Sequence, residues 1–276
     1  AQVKSRIHAT SQVPAKKTRF ITYCQRIAAI LLLPAIIAIV ALMMKKDHQE
    51  PLIAYNEVTA PYGMVSSLTL PDSSKVWLNA GSTLKYPTAF TSNVREVEMS
   101  GEAYFEVHAD KEHPFIVNTG DLKVTATGTA FNICSFAKAQ EEVITLVTGK
   151  VAVSQENNIK HLLPGQQLNY QRASKSMEIT DIDTYKYISW KDGILAFRDD
   201  PLKSIFNRLE QVYQVRFILK DTSINQFTYR ATFKGETLDE ILDYMGMSIP
   251  ITFRTTETEK EGNDSINVRT IEVYKN

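Results

Sequence analysis

The longest uninterrupted apolar run in the chain is Ile27 to Met44, eighteen residues without a charge. At ~1.5 Å per residue a helix of that length rises about 27 Å, close to a hydrocarbon core of about 30 Å. Pro34 lies inside the run; proline would break a soluble helix, but a membrane span tolerates it. A cleaved export signal would end in small residues, whereas this run ends Met43-Met44-Lys45-Lys46. We read it as a single transmembrane helix, 27–44, between a stub of 26 residues and a remainder of 232.

After the span the pattern changes to short apolar or alternating segments separated by turn residues, with no convincing amphipathic helix from Glu57 to about Thr180. That pattern predicts an all-β domain, a sandwich or barrel-like stack. Leu68 to Leu70 and Val76 to Leu78 flank Pro71-Asp72-Ser73-Ser74, a hairpin because proline fixes φ and Asp and Ser bond local backbone. Further strands are expected at Leu84–Tyr86, Val94–Met99, Ala103–Val107, Phe115–Asn118, Leu122–Ala126, Ala130–Phe136, Val143–Val147 and Lys150–Ser154, punctuated by Gly101, Gly120, Gly149 and Gly165.

From Ile194 the period lengthens. Asp200-Pro201 reads as a helix start, with Asp as N-cap and Pro in the first position, followed by the apolar face Leu202, Ile205, Phe206, Leu209, Val212 and Tyr213. Thr237-Leu238-Asp239-Glu240 reads as a capping box for a second helix that buries Leu238, Ile241, Leu242 and Met245 and stops at Gly246. A shift of 36 residues lays Phe197 on Phe233, Leu202 on Leu238, Ile205 on Ile241, Val215 on Ile251 and Phe217 on Phe253. This register predicts a small α+β domain of two βαβ units, closed by a strand at Val268–Tyr274 after a charged loop from Thr255 to Asn267. The expected scheme is a basic stub 1–26, a span 27–44, a linker 45–56, a β domain 57–180, a linker 181–193 and an α+β domain 194–276.

Charge gives the span a direction. The chain has 31 basic and 31 acidic residues, but Lys4, Arg6, Lys16, Lys17, Arg19 and Arg26 precede the span without one Asp or Glu, leaving 25 against 31 behind it. The positive-inside rule puts the N-terminus in the cytoplasm and the bulk outside, although Lys45 and Lys46 fall on the outer side. Six charges beside a span are orientation signals, so no direct nucleic-acid contact is expected. Cys24 and Cys134 would lie on opposite sides and form no disulfide framework; Cys134, within the apolar run Phe131–Phe136, reads as a buried thiol.

Conventional catalysis finds little support. His8, His48, His108, His113 and His161 lack paired metal-ligand spacing, so neither metal nor cofactor is expected. Thr148-Gly149-Lys150-Val151 lacks the rest of a phosphate loop and reads as a turn. Glu102 and Glu106 share one face of a strand, but four residues separate them by about 13–14 Å, too far for glycoside hydrolysis; a solvated strand face is the expected setting. Trp77 and Trp190 read as core or interface residues, with a carbohydrate platform as the other possibility.

Several segments in order resemble the FecR-type anti-sigma factors. They are Leu70-Pro71-Asp72-Ser73-Ser74-Lys75-Val76-Trp77-Leu78-Asn79, Gly101-Glu102-Ala103-Tyr104-Phe105-Glu106-Val107, Pro114-Phe115-Ile116-Val117, Gly128-Thr129-Ala130-Phe131-Asn132-Ile133 and Leu163-Pro164-Gly165-Gln166. Gly193-Ile194-Leu195-Ala196-Phe197 with Asp200-Pro201-Leu202 looks like the family's C-terminal module, similar to the short signalling domain of secretins and TonB-dependent receptors. The resemblance implies a non-enzymatic inner-membrane relay: an extracytoplasmic-function sigma factor bound in the cytoplasm, and a periplasmic half that receives the signalling domain of a TonB-dependent transducer, through the module Ile194 to Asn276. Family members usually carry a helical sigma-binding domain before the span, where only 26 residues stand here. Some relatives cleave themselves within a Gly-Thr pair, here Gly128-Thr129, by attack of the threonine hydroxyl on the preceding carbonyl. The other reading of that pair is a glycine turn beside a β-branched strand residue. A membrane-anchored periplasmic glycan-binding protein is the alternative function, and a periplasmic hydrolase a third.

Overall fold

The computed structural model describes residues 17–44, 54–261 and 266–276. Most of the basic stub and most of the linker 45–56, with Lys4, Arg6, His8 and His48, lie outside the described residues. The chain divides after Leu52, and each unit is described by itself. The first contains helix α1 (Lys17–Met44), which starts ten residues before the expected span. Its apolar stretch, Tyr23–Val40, is not buried against protein, and Ile30, Leu31 and Ile37 are more than half exposed. An unburied helix that is apolar on all sides matches a hydrocarbon environment, consistent with a single-pass membrane protein. Pro34 lies inside without ending it.

The second unit opens with thirteen strands: β1 (Tyr55–Thr59), β2 (Ser66–Thr69), β3 (Lys75–Leu78), β4 (Thr83–Pro87), β5 (Arg95–Glu106), β6 (Phe115–Asn118), β7 (Lys123–Ala126), β8 (Ala130–Ser135), β9 (Glu141–Thr148), β10 (Val151–Gln155), β11 (Asn158–Leu162), β12 (Gln166–Gln171) and β13 (Ser176–Asp181). They form one nearly closed, barrel-like sheet in the order β11-β10-β7-β6-β5-β8-β9-β12-β13, with β4-β1 and β3-β2 branching from β5. The hairpin at Pro71–Ser74 forms as expected, Leu68 opposite Val76. Two expected strands are one: β5 runs through Gly101. Its first half pairs with β4 and β6, its second with β3 and β8. Gly101 supplies the bend, at φ +104°, where a Cβ would stand 2.4 Å from Ser82 Oγ and 2.7 Å from Ser82 Cα. Phe105, Phe115, Phe131, Leu84, Ile133 and Leu168 are fully buried in the core between the two halves.

Asp72 explains the first corner. It accepts Ser74 N–H (3.0 Å) and Ser74 Oγ–H (2.6 Å) and pairs with the buried Arg95 (2.6 Å), while Ser74 Oγ accepts His108 N–H (3.0 Å). The motif Pro71–Ser74 therefore ties the hairpin to both ends of the β5–β6 connection.

Residues 181–193, expected as a linker, carry α2 (Tyr185–Ile188) and a 3-10 turn (Ser189–Asp192) closed by left-handed Gly193. The C-terminal elements are β14 (Ile194–Pro201), α3 (Leu202–Tyr213), β15 (Val215–Leu219), β16 (Thr228–Lys234), α4 (Leu238–Ser248), β17 (Ile251–Glu261) and β18 (Ile266–Lys275). The order β-α-β occurs twice, but the two strands of each unit enter different sheets: β14 pairs with β16, while β15 and β17 flank β18. Parallel βαβ units are thus not what the 36-residue register encodes. What it matches is helix faces: Leu202, Ile205, Phe206 and Leu209 of α3 and Leu238, Ile241, Leu242 and Met245 of α4 are all buried in one core.

Three local expectations are corrected. Asp200 does not cap α3: it belongs to β14, and its carboxylate accepts Arg198 N–H (2.8 Å) and Lys186 Nζ (2.6 Å), leaving Pro201 at the cap. Gly246 does not end α4, which continues to Ser248, although the Thr237–Glu240 capping box forms. The charged loop from Thr255 is largely strand, because β17 stays paired with β18 as far as Glu261 opposite Ile266.

Candidate functional site: the junction of the β domain and the C-terminal module

The junction is built from a tryptophan expected in a core or interface and a carboxylate expected on a solvated face. Glu102 is buried in β5, against the expectation of a solvated face. Its Oε2 accepts Asn79 Nδ2 at 2.6 Å and its Oε1 accepts Asn132 Nδ2 at 3.0 Å. Asn132 Oδ1 in turn accepts the indole N–H of Trp190 at 3.2 Å, and Asn79 Oδ1 accepts Ala80 N–H at 2.8 Å. The chain Asn79–Glu102–Asn132–Trp190 thus joins a turn, two central strands and the segment leading into the module. A carboxylate is tolerated there because each of its oxygens accepts an amide N–H.

Trp77 and Tyr104 lie edge to face nearby, ring centroids 5.7 Å apart, and Lys191 Nζ stands 5.7 Å and 5.4 Å from the two rings. The Tyr104 hydroxyl is pushed up to about 12, first by burial and then by Glu106 and Asp192. Trp190 is buried at the interface, and the half-buried Trp77 borders it. Ser189 closes the joint by donating to Ile194 O at 3.0 Å. Beside Trp190 opens a cavity of about 330 Å³ lined by Met64, Val65, Asn79, Tyr213 and Phe233. Its walls are mainly apolar with few polar groups, the chemistry of a site for a hydrophobic group.

Gly128 and Thr129 lie away from this joint, at the entrance to β8. Gly128 has φ +128° and a Cβ there would stand 2.9 Å from Ala109 Cα, so the position requires glycine. Thr129 is buried, its carbonyl accepts Val107 N–H at 2.9 Å, and its hydroxyl has no hydrogen-bond partner. Glu106, exposed, and Glu102 face different surroundings and make no catalytic pair. Among the described residues no group of three His, Cys, Asp or Glu side chains could hold a metal. His113 Nδ1 meets Asp110 at 2.8 Å. Both cysteines are free, and desolvation pushes the thiol of the half-buried Cys134 far up. Gly149 forms the turn between β9 and β10.

Two family models match in succession, the FecR protein model over residues 56–158 and the FecR C-terminal model over residues 194–261. A 1.65 Å crystal structure described as a candidate anti-sigma factor from Parabacteroides distasonis is 30% identical; it aligns over 80% of this chain and 99% of its own, with a TM-score of 0.69. The chain belongs to the FecR-type anti-sigma factor family. A 2.50 Å structure under the same description and from the same organism is likewise 30% identical, over 81% and 100% of the two chains, with a TM-score of 0.69. No functionally curated protein matches the sequence. The FecR-type assignment makes this chain an anti-sigma regulator rather than an enzyme, with a sigma factor as its implied partner. Trp190 lies between the two matched regions and is bonded to Asn132 of the first. Asn79, Glu102 and Asn132 all lie within the family-like motifs, but only the fold shows that they form one chain ending at Trp190.

Proposed function

We propose that the chain relays an extracytoplasmic signal across the inner membrane. The N-terminus lies in the cytoplasm, where an extracytoplasmic-function sigma factor is held; the β domain and C-terminal module lie in the periplasm, where the module of residues 194–276 receives the signalling domain of a TonB-dependent transducer. The observation that carries the reading is the buried Asn79–Glu102–Asn132–Trp190 chain, which ties the β domain to the turn that leads into the module and that Ser189 bonds to Ile194. Rigid coupling is what a relay needs, because partner binding at the module then biases the part next to the span. Detergent-solubilised full chain is expected to retain a transducer signalling domain in a pull-down. Saturable glycan capture without transducer retention would replace the relay by the glycan-binding alternative. For orientation, alkaline phosphatase fused after Asn276 is expected to be active in cells.

The unpartnered Thr129 hydroxyl beside the left-handed Gly128 supports a second element, self-cleavage between them. Thr129 Oγ attacks the Gly128 carbonyl carbon, the C–N bond breaks as the nitrogen takes the hydroxyl proton, and water hydrolyses the resulting ester. Purified wild type is expected to give two fragments on a denaturing gel and Thr129→Ala one; an intact wild type removes the step.

A further inference from the structure

Arg208, on α3, lines a second and more polar cavity of about 240 Å³ between α3, α2 and the outer face of β9 and β12. Its Nε and Nη2 are shielded from solvent, and neither has a hydrogen-bond partner. Those two N–H groups lie side by side on a guanidinium and form the edge that grips both oxygens of a carboxylate. Arg230 uses the same edge on Asp199, with Nε at 3.1 Å and Nη2 on the second oxygen.

The carboxylates near the cavity are already engaged. Asp200 holds Lys186 at 2.6 Å, and Glu141 accepts Gln171 Nε2 at 2.7 Å. Lys186 is matched by Asp200, whereas Glu141 is held by a neutral amide and keeps its charge, so what sets Arg208 apart is its two unsatisfied N–H groups. Two guanidinium N–H groups shielded from water without a partner are costly and are not left so without a reason. Asn169 and Ser204 line the same cavity with amide and hydroxyl groups, suited to the polar body of a ligand. The space admits a group the size of an amino acid or one sugar ring.

We infer that this cavity is a carboxylate-binding site in which Arg208 Nε and Nη2 hold the two oxygens of a small acid or of an acidic side chain. The site is separate from the Trp190 joint and is independent of the transducer reading.

The test is thermal unfolding of the full chain in detergent, followed by tryptophan emission, for wild type, Arg208→Lys and Arg208→Met. The probes are glucuronate, glucose as the uncharged control, and the capped peptide acetyl-Gly-Glu-Gly-amide. At ten times its half-saturating concentration a binding acid raises the melting temperature of wild type by about 3–6 °C. Glucose gives no shift, and neither variant responds, because lysine lacks the fork. Without ligand, Arg208→Met melts no lower than wild type, since it removes two unsatisfied N–H groups. A shift with glucuronate alone identifies a free small acid as the source. A shift with the peptide identifies a protein's acidic side chain, and either supports the site. No shift with both acids, or equal shifts in wild type and Arg208→Lys, overturns it and leaves the cavity to water.

Discussion

Replacing Glu102 by glutamine is the sharpest probe of the junction, because it changes one atom and almost no volume. The carboxylate now accepts from two amides, Asn79 Nδ2 at 2.6 Å and Asn132 Nδ2 at 3.0 Å. Glutamine keeps one acceptor oxygen, and its own amide then faces a second donor. Either a donor–donor contact remains or an asparagine turns over. Turning Asn79 sacrifices its bond from Ala80 N–H, and turning Asn132 sacrifices the one from Trp190. A hydrogen bond to a charged group contributes about 1.5–3 kcal/mol, and a buried unpaired donor costs about 1–3 kcal/mol. The expected loss is therefore about 2–4 kcal/mol, a fall in melting temperature of roughly 4–16 °C for a unit of this size. Trp190 should also redden its emission as its indole loosens, and Trp190→Phe combined with Glu102→Gln should cost less than the two separate losses together. A Glu102→Gln variant that melts within about 1 °C of wild type, with unchanged emission, would refute the coupling.

Gly101→Ala must accept a left-handed φ and a methyl group inside contact distance of Ser82, so a loss above about 2 kcal/mol, or no soluble product, is expected from chemical unfolding. Thr237→Ala removes the Thr237–Glu240 capping box and should cost about 1 kcal/mol, with Thr237→Ser restoring most of it. Glu142 is buried, and that burial raises its carboxyl above the usual range despite the hydrogen bond from Thr119. A raised folded-state value means that the group's contribution is fully present below the ordinary carboxylate range and is lost as pH rises through the raised one. Urea unfolding should therefore show wild type losing ground against Glu142→Gln from about pH 4.5 upward, and parallel curves would count against that burial cost.

What was legible in the sequence was local. The Pro71–Ser74 hairpin, β6 at Phe115–Asn118 and the α4 capping box each rest on residues within a few positions of one another, so composition and spacing suffice. The strands that escaped notice, β1, β11, β12 and β13, are polar at most positions, as in Asn158-Ile159-Lys160-His161-Leu162, and are strands because neighbours supply the ladder. Gly101 read as a break because a bend and a stop look alike until the partner strands are known. Glu102 was misplaced for a related reason: alternation puts it on a face, but only the fold places Asn79 and Asn132 against it. Trp190 reads as a core or interface residue by its type alone, but its place in an apparent linker hides its partner, and Arg208 stands in an ordinary amphipathic helix with no local signal to single it out.

Strand β5 sets an order on how the chain is made. Its second half needs β3, which leaves the ribosome earlier, and β8, which follows more than twenty residues later; its first half needs β4 before it and β6 after it. The antiparallel pairings to β3 and β4 are thus available during synthesis, while the parallel pairing to β6 waits for a crossover to emerge. Until β8 arrives, the bent strand offers an unpaired edge carrying Tyr104 and Phe105. That interval is when a nascent chain is most exposed to mispairing with another copy of itself.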